Sequence, residues 1–241
     1  MMHAQQQISL STNVQKSLRG SIFAASIWND LDFETRIAIL RRWAKSLDNL
    51  SAMMVNFQCA NAQEMIATPH VMPGPTGESN TLYCVGRGVV VVTANDDVAN
   101  HVVIAQITTA LVCGNSVMLC LSPDHPLKAG AILSQLARAG YVANVLTIIE
   151  SHDFESLIQS EDVVAVAYCG SADRALEIAR QLAAREGQLA QLVAETDVVN
   201  LPIIGSQSYC LRFITERTRT INITAVGGNA TLLELGCGEA S

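Results

Sequence analysis

From residue 82 onward, short apolar and β-branched runs alternate with helical stretches, and this alternation constrains the fold more than any other feature of the sequence. A parallel sheet needs a crossover helix between successive strands, and strands covered on both faces are continuously apolar. The strand candidates are 82–85, 89–93, 116–121, 145–149, 163–168 and 189–194. The pattern therefore predicts an α/β fold with a doubly wound, Rossmann-like parallel sheet.

Helical periodicity fills the intervals between these strands. The helix candidates are 98–112, 123–139, 154–159 and the stretch after Ser171, and three more precede the sheet, at 14–27, 31–47 and 51–67. Asp32 can cap the second of the early helices, because its side chain accepts hydrogen bonds from the first turn. We divide the chain into N-terminal helices (1–70), a Rossmann-like domain (71–208) and a C-terminal helix and β arm (209–241).

The C-terminal section departs from the parallel-sheet pattern. Residues 209–217 could form a helix, 218–225 alternate as in an exposed strand, and Gly227-Gly228-Asn229 is a turn signal. We expect an arm that pairs with a second copy of the chain through residues 218–228, from Thr218 to Gly228, to give a homodimer. A strand folded back on its own sheet has the same alternation and stays an alternative.

Composition limits the partners. The chain has 15 Lys+Arg against 22 Asp+Glu, a formal charge of −7, which offers no footprint for nucleic acid or an anionic membrane surface. No apolar run approaches the roughly 20 residues that cross a bilayer, and the Gln-rich start lacks the regions of a signal peptide. We expect a cytoplasmic protein with no nucleic-acid or membrane partner.

Metal and phosphate motifs are not evident in the sequence. The seven cysteines and five histidines are dispersed, which predicts buried cysteines and no metal site. No G-x-G-x-x-G follows a strand and no Walker A sequence occurs, so Gly86-Arg87-Gly88 is interpreted as a tight turn. Glu195 ends a hydrophobic strand, where α/β proteins place functional carboxylates, although a solvated strand-end residue fits equally well.

Several motifs resemble the nucleotide-binding half of the aldehyde dehydrogenase superfamily. A helix leads through Gly114-Asn115 into a strand, Pro126-Leu127 follows, and a later strand ends in Tyr168-Cys169-Gly170-Ser171. Trp28, followed by Arg36 and Leu40, is similar to the family's N-terminal helices. Residues 72–80, 194–196 and 213–230 resemble the C-terminal region of the proline utilization A flavoproteins, multifunctional enzymes that oxidise proline to glutamate.

The resemblance implies an incomplete active site. Glu195 matches the family's general base, and Gly170 and Ser171 match the turn near the cofactor pyrophosphate. The family's catalytic domain, with its nucleophilic cysteine, would follow the Glu-Thr segment, but only residues 198–208 separate that segment from the closing motif. None of the seven cysteines therefore matches the nucleophile, and a base without a nucleophile cannot complete the reaction.

Four further positions differ from the pattern of an active member. The family lysine that reaches the adenine ribose falls at Cys120, and the glycines after the glutamate are Asp197 and Val198. The asparagine that stabilises an oxyanion is expected near Asp97, where a carboxylate would oppose that charge. We therefore expect a vestigial pocket, in which Glu195 is no longer a base, Gly170 and Ser171 are remnants of the cofactor site, and no cofactor binds.

The resemblance thus favours a non-catalytic aldehyde-dehydrogenase-like domain with a structural or assembly role in proline catabolism, for which a separate proline-catabolic enzyme is a candidate partner. The alternative is an NAD-dependent oxidoreductase that acts on 1-pyrroline-5-carboxylate, in its open form glutamate semialdehyde. A module that binds another small molecule in the leftover crevice also stays open.

Overall fold

The computed structural model describes residues 10–222, which form two sheets and seven α-helices. The helices are α1 (Thr12–Asp30), α2 (Phe33–Ala44), α3 (Asn49–Ile66), α4 (Asn100–Val112), α5 (Ala129–Arg138), α6 (Phe154–Leu157) and α7 (Ala172–Ala184). The strands are β1 (His70–Met72), β2 (Glu78–Gly86), β3 (Val89–Ala94), β4 (Ser116–Leu121), β5 (Leu146–Glu150), β6 (Val163–Cys169), β7 (Gln191–Glu195) and β8 (Ile214–Asn222). Two 3-10 helices lie at Ser151–Asp153 and Gln207–Phe213.

The larger sheet has five parallel strands in the order β5-β4-β3-β6-β7. The chain winds outward from β3 through β4 to β5, then returns to β6 on the other side of β3. This order confirms the doubly wound α/β prediction. It also places the reversal of winding between β3 and β6, where ligands bind in open α/β sheets.

The valines of β3 show why its sequence is continuously apolar. Val90 and Val92 are buried in the core under α4, whereas Val89 and Val91 are buried in the core on the opposite face. Successive side chains of a strand point to opposite faces, so a strand covered on both faces needs apolar residues at every position.

The three N-terminal helices form as predicted. Asp32 caps α2, since its Oδ1 accepts a hydrogen bond from Thr35 N at 2.8 Å. Ser11 and Asp48 cap α1 and α3 in the same way. Buried aromatic side chains, Trp28 in α1 and Trp43 in α2, then anchor these helices in the main core.

The smaller sheet is antiparallel, in the order β1-β2-β8. The prediction of a helix over 209–217 holds only as a 3-10 helix as far as Phe213 and is wrong for 214–217, because β8 begins at Ile214. The nine residues of β8 pair with the nine of β2, and this ladder overrides the local helical spacing. Residues 218–222 of the predicted arm therefore pair with their own chain, while 223–228 and the Gly227-Gly228-Asn229 turn lie outside the described residues.

The turn at Gly86-Arg87-Gly88 connects the two sheets rather than two neighbouring strands, because β2 lies in one and β3 in the other. Helix α5 starts six residues later than predicted. The segment before it forms a turn in which His125 Nδ1 accepts a hydrogen bond from Leu127 N at 3.0 Å. Within residues 10–222, no helix combines the length and the hydropathy needed to cross a membrane.

Candidate functional site

The carboxyl ends of β3, β6 and β7 form the candidate site. Asn95 N donates a hydrogen bond to Cys169 O at 3.0 Å, and Gly170 N donates one to Glu195 O at 3.0 Å. These bonds continue the parallel ladder by one step past the strand ends. The structure thus brings Gly170 and Glu195, which lie on neighbouring strands, together at this edge.

Glu195 is buried, with 1% of its surface exposed, so it is not a solvated strand-end residue. Its Oε2 accepts hydrogen bonds from Ile203 N at 2.7 Å and Ile204 N at 3.1 Å, and its Oε1 accepts one from Asp197 N at 3.2 Å. The carboxylate therefore satisfies three backbone donors of the segment that follows β7. Such bonds fix the conformation of that segment.

Position 170 has no room for a side chain. Its φ is +151°, and a Cβ at this position would lie 2.5 Å from Tyr168 Oη and 2.6 Å from Asn95 Cγ. Tyr168 Oη donates a hydrogen bond to Asn95 Oδ1 at 2.9 Å, which closes the space between the ends of β3 and β6. Ser171 caps α7, because its Oγ accepts a hydrogen bond from Arg174 N at 3.3 Å.

Cys120 is also buried, and its Sγ–H donates to Glu150 O at 3.5 Å. Burial raises the pKa of its thiol to about 12, and the nearby carboxylates of Asp153, Glu150 and Glu155 act in the same direction. The position at which the resemblance predicts loss of the family lysine therefore carries a neutral thiol near negative charges. This environment opposes the binding of a phosphate-containing ligand.

A small cleft of about 190 Å³ lies beside Cys120, at the carboxyl ends of β4 and β5. Ligand sites for drug-sized molecules have about 300–1,000 Å³, so this cleft is too small for a dinucleotide. Arg174, at the start of α7, is engaged elsewhere: it forms ion pairs with Glu155 and Glu177 and lies over the Phe154 ring. Among the residues that line the described cleft, Lys128 is the one lysine or arginine.

Cys169 lies between the candidate carboxylates. Its pKa is raised to about 12, first by burial and then by the charges of Glu195 and Asp97. Asp97 is exposed, whereas Asp197 is half-buried and its pKa is lowered by hydrogen bonds from Asn200. The structure thus places the predicted residues Glu195, Gly170 and Asp97 around one neutral thiol.

The other described cysteines are equally unreactive. Burial raises the pKa of every described cysteine thiol: Cys59, Cys84, Cys113, Cys120, Cys169 and Cys210. Five of these cysteines are buried as predicted, Cys84 is half-buried, and Cys237 lies outside the described residues. A nucleophilic cysteine needs a thiolate, which this environment disfavours. Within 10–222, no group of three or more His, Cys, Asp and Glu side chains is arranged to hold a metal ion.

The sequence did not reveal the Tyr168–Asn95 hydrogen bond or the donors that meet Glu195. No local pattern shows that backbone groups eight and nine residues downstream will meet a carboxylate. The one available signal was the apolar 201–204 segment after Glu195, which had to fold back into the core, where Ile204 is buried.

Comparison with known proteins agrees with this architecture. The model of the aldehyde dehydrogenase family matches residues 49–208. The bifunctional protein PutA of Escherichia coli (strain K12) is 27% identical over 201 residues, which cover 82% of this chain and 13% of that protein. PutA of Salmonella typhimurium is 25% identical over 202 residues, or 83% of this chain and 14% of that protein. The chain therefore spans only about one seventh of these curated relatives.

Solved structures show the same relationship. A crystal structure of proline utilization A (PutA) from Bradyrhizobium japonicum superimposes with a TM-score of 0.70 at 26% identity, over 79% of this chain and 23% of that one. A 3,6-anhydro-L-galactose dehydrogenase, with a TM-score of 0.65 and 18% identity over 78% of this chain and 44% of that one, shares the fold alone. From the family match and the fold, the chain belongs to the aldehyde dehydrogenase family and is related to PutA.

Proposed function

We propose that this domain does not oxidise aldehydes and has a structural or assembly role, as a relative of the C-terminal aldehyde-dehydrogenase-like domain of PutA. The observation that carries this proposal is the bonding of Glu195. A general base must reach a proton of water or substrate with an accessible lone pair. Here backbone N–H groups take three of the roughly four acceptor sites of the carboxylate, and the side chain is buried.

The connection from β7 to β8 supports the same proposal. Residues 196–213 form a turn and one 3-10 helix and lead directly into β8. By family resemblance, this is the interval in which the catalytic domain would be inserted. The described cysteines offer no thiolate in its place, because the pKa of each is raised.

We propose that no nicotinamide cofactor binds. Cys120 supplies no cation to the ribose hydroxyls, Glu150 and Asp153 add negative charge beside it, and Tyr168 and Asn95 close the switch point of the sheet. Loss of several polar contacts at about 1–1.5 kcal/mol each removes several powers of ten in affinity.

The test uses the full 241-residue chain, with PutA of Escherichia coli as the positive control. We expect no NADH formation from 1-pyrroline-5-carboxylate and NAD, and an NAD dissociation constant no better than about 1 mM by calorimetry. Turnover that one Cys→Ala substitution abolishes, or a low-micromolar dissociation constant, contradicts the proposal and supports the NAD-dependent oxidoreductase.

We also propose self-association through residues 218–228, from Thr218 to Gly228, to give a homodimer. In the described residues, β8 is an edge strand of its sheet, and eight of its nine residues are exposed. One of them is apolar: Ile221 is 48% exposed. An edge of this kind offers backbone donors and acceptors to a strand of another copy.

Light scattering tests this interface. Deletion from Thr218 onward is expected to halve the mass while circular dichroism shows a folded α/β core. Because the deletion also uncovers β2, Ile221→Lys is a gentler variant, and Leu176→Lys, at an exposed position of α7, is its matched control. An unchanged mass for both the truncated chain and Ile221→Lys excludes β8 as the interface.

A proline-catabolic enzyme is the further partner that we propose, because the relatives of this chain are PutA proteins. Titration of the chain with a purified proline dehydrogenase, followed by light scattering, is expected to give a complex of summed mass. Two separate species at all ratios contradict this partnership and leave the homodimer proposal unaffected.

A further inference from the structure

A larger cleft lies at the amino edge of the five-stranded sheet, whereas Gly170 and Glu195 lie at the carboxyl edge. It has a volume of about 410 Å³, within the range of about 300–1,000 Å³ typical of small-molecule sites. Its apolar walls come from the α1–α2 junction, the end of α3 and the end of β2. Leu31, Phe33, Ile66 and Val85 are among these apolar residues.

The buried charged group in this cleft is Arg36, which is only 7% exposed. Its Nη1 donates hydrogen bonds to Leu31 O at 2.7 Å and Asn29 O at 3.1 Å, and its Nε donates to Val112 O at 3.2 Å. Its Nη2 takes part in none of these bonds. Carbonyl oxygens alone therefore hold this buried guanidinium, and within residues 10–222 no carboxylate lies within 4.0 Å of it.

Burial imposes a desolvation cost on this charge and lowers the pKa of Arg36 from its usual range, although the charge of Asp32 acts in the opposite direction. The guanidinium carbon also lies 5.5 Å from the centroid of the Phe33 ring, which favours the cation but does not neutralise it. An anion in the cleft would offset this cost.

Two polar side chains from the smaller sheet line the same cleft. Arg217 of β8 lies opposite Tyr83 of β2 in the register, and neither side chain forms a hydrogen bond or an ion pair with another described residue. Asp30 is the one acidic residue among those that line the described cleft. Two guanidinium groups against one carboxylate leave an excess positive charge beside apolar walls.

We propose that this cleft binds a small organic carboxylate with an apolar body, through the guanidinium groups of Arg36 and Arg217 and the hydroxyl of Tyr83. The carboxylate supplies the charge that Arg36 lacks, and the apolar body contacts Phe33 and Ile66. Charge-assisted hydrogen bonds from guanidinium groups to a carboxylate are stronger than neutral ones.

Benzoate and benzamide are suitable probes, because they have nearly the same shape but only benzoate is charged at pH 7. On the full chain, we expect calorimetry to give a benzoate dissociation constant of about 1 mM, and binding of benzamide at least about tenfold weaker. Arg217→Gln should weaken benzoate binding by about tenfold. Arg219→Gln removes the same charge two residues along β8, outside the cleft, and should change binding by less than about twofold.

Arg36→Lys tests the buried group directly. Arg36 also holds three elements together, so binding by this variant is interpreted only if circular dichroism shows a native fold. If the variant does not fold, Arg217→Gln decides the outcome. Equal binding of benzoate and benzamide overturns the proposal. So do equal effects of Arg217→Gln and Arg219→Gln, and so does the lack of binding up to about 20 mM benzoate.

Discussion

The two edges of the five-stranded sheet use their buried polar side chains differently. At the amino edge, Asn115 Nδ2 donates hydrogen bonds to Ala110 O at 3.0 Å and Phe213 O at 2.9 Å, and Trp28 Nε1 donates to Leu111 O at 2.7 Å. The bonds to Phe213 and from Trp28 join segments far apart in the sequence, whereas the bond to Ala110 is local. At the carboxyl edge, the Glu195 carboxylate bonds only to donors within the next nine residues.

This difference separates evidence for a fold from evidence for a reaction. The Gly114-Asn115 turn, which resembles that of the family, stabilises the fold, since Asn115 Oδ1 also accepts a hydrogen bond from Gly88 N at 3.0 Å. The resemblance predicts a catalytic role for Glu195, yet the bonds of its carboxylate stabilise a turn. Similarity at the amino edge therefore supports the fold, whereas function has to be argued from the geometry of the carboxyl edge.

The largest expected effect is that of Asn115→Ala. This substitution removes three hydrogen bonds and leaves buried backbone groups of Ala110, Phe213 and Gly88 without that partner. We expect the free energy of unfolding to fall by about 3–5 kcal/mol, measured by urea denaturation. Asn56→Ala, at an exposed position of α3, is the control and should cost no more than about 0.5 kcal/mol. Similar losses of unfolding free energy for the two variants would show that the Asn115 hydrogen bonds at the amino edge contribute no more stability than an exposed hydrogen bond.

Glu195→Gln should have the next largest effect. The amide keeps one acceptor oxygen but turns an NH₂ group toward backbone donors, so at least one buried N–H loses its partner. We expect a loss of about 2–3 kcal/mol in the free energy of unfolding. The control, Glu177→Gln, alters an exposed ion pair and should change stability by less than about 1 kcal/mol. Unchanged stability of Glu195→Gln would mean that the carboxylate is not a structural group.

Substitutions at two glycines test whether Tyr168 and Asn95 close the space between the ends of β3 and β6. Gly170→Ala places a methyl group against Tyr168 and Asn95 at a positive φ, and we expect a loss of about 1–3 kcal/mol. Gly130→Ala, in α5, meets nothing within 4 Å and should stabilise the protein by about 0.5–1 kcal/mol. Thermal unfolding of the two variants gives the comparison. Unchanged stability of Gly170→Ala would show that Tyr168 and Asn95 can move to accommodate the methyl group at little cost in free energy.

The sequence predicted the fold well where local patterns and burial agree. The Val89–Val92 run alternates between two cores, and Asp32 caps α2, so period and capping alone identified these elements. It failed over 214–217, because a short segment has ambiguous periodicity. These residues belong to β8 through its ladder with β2, from Ile214 opposite Gly86 to Asn222 opposite Glu78, which only the tertiary structure reveals.

The candidate site was predictable in position but not in chemistry. Strand ends placed Gly170 and Glu195 at one edge, which the structure reproduces. Whether Glu195 is free or bonded depends on how residues 203–204 return to the core, and no local signal encodes that path. The guanidinium of Arg36 illustrates the same limit, since its acceptors lie on α4 and at the end of α1.

The smallest effect that we predict concerns acid stability at the start of the helices that carry the amino-edge contacts. Hydrogen bonds from the side chain and backbone of Thr35 lower the pKa of Asp32, and hydrogen bonds from Ser51 lower that of Asp48. Because the folded pKa lies below the unfolded value of about 3.9, each carboxylate contributes stability above that pH. This contribution is lost as the pH falls through the folded pKa.

The double variant Asp32→Asn/Asp48→Asn separates capping from charge, because asparagine caps a helix about as well as aspartate but does not titrate. At pH 7 we expect the variant and the wild type to unfold at nearly the same urea concentration, since both residues are exposed and their charges are screened. Urea titrations from pH 6 to below pH 3 should then show a shallower fall in unfolding free energy for the variant, with the difference confined to pH values below about 4. If the two proteins lose stability in parallel over that range, the acid sensitivity comes from other carboxylates, and these caps act through geometry alone.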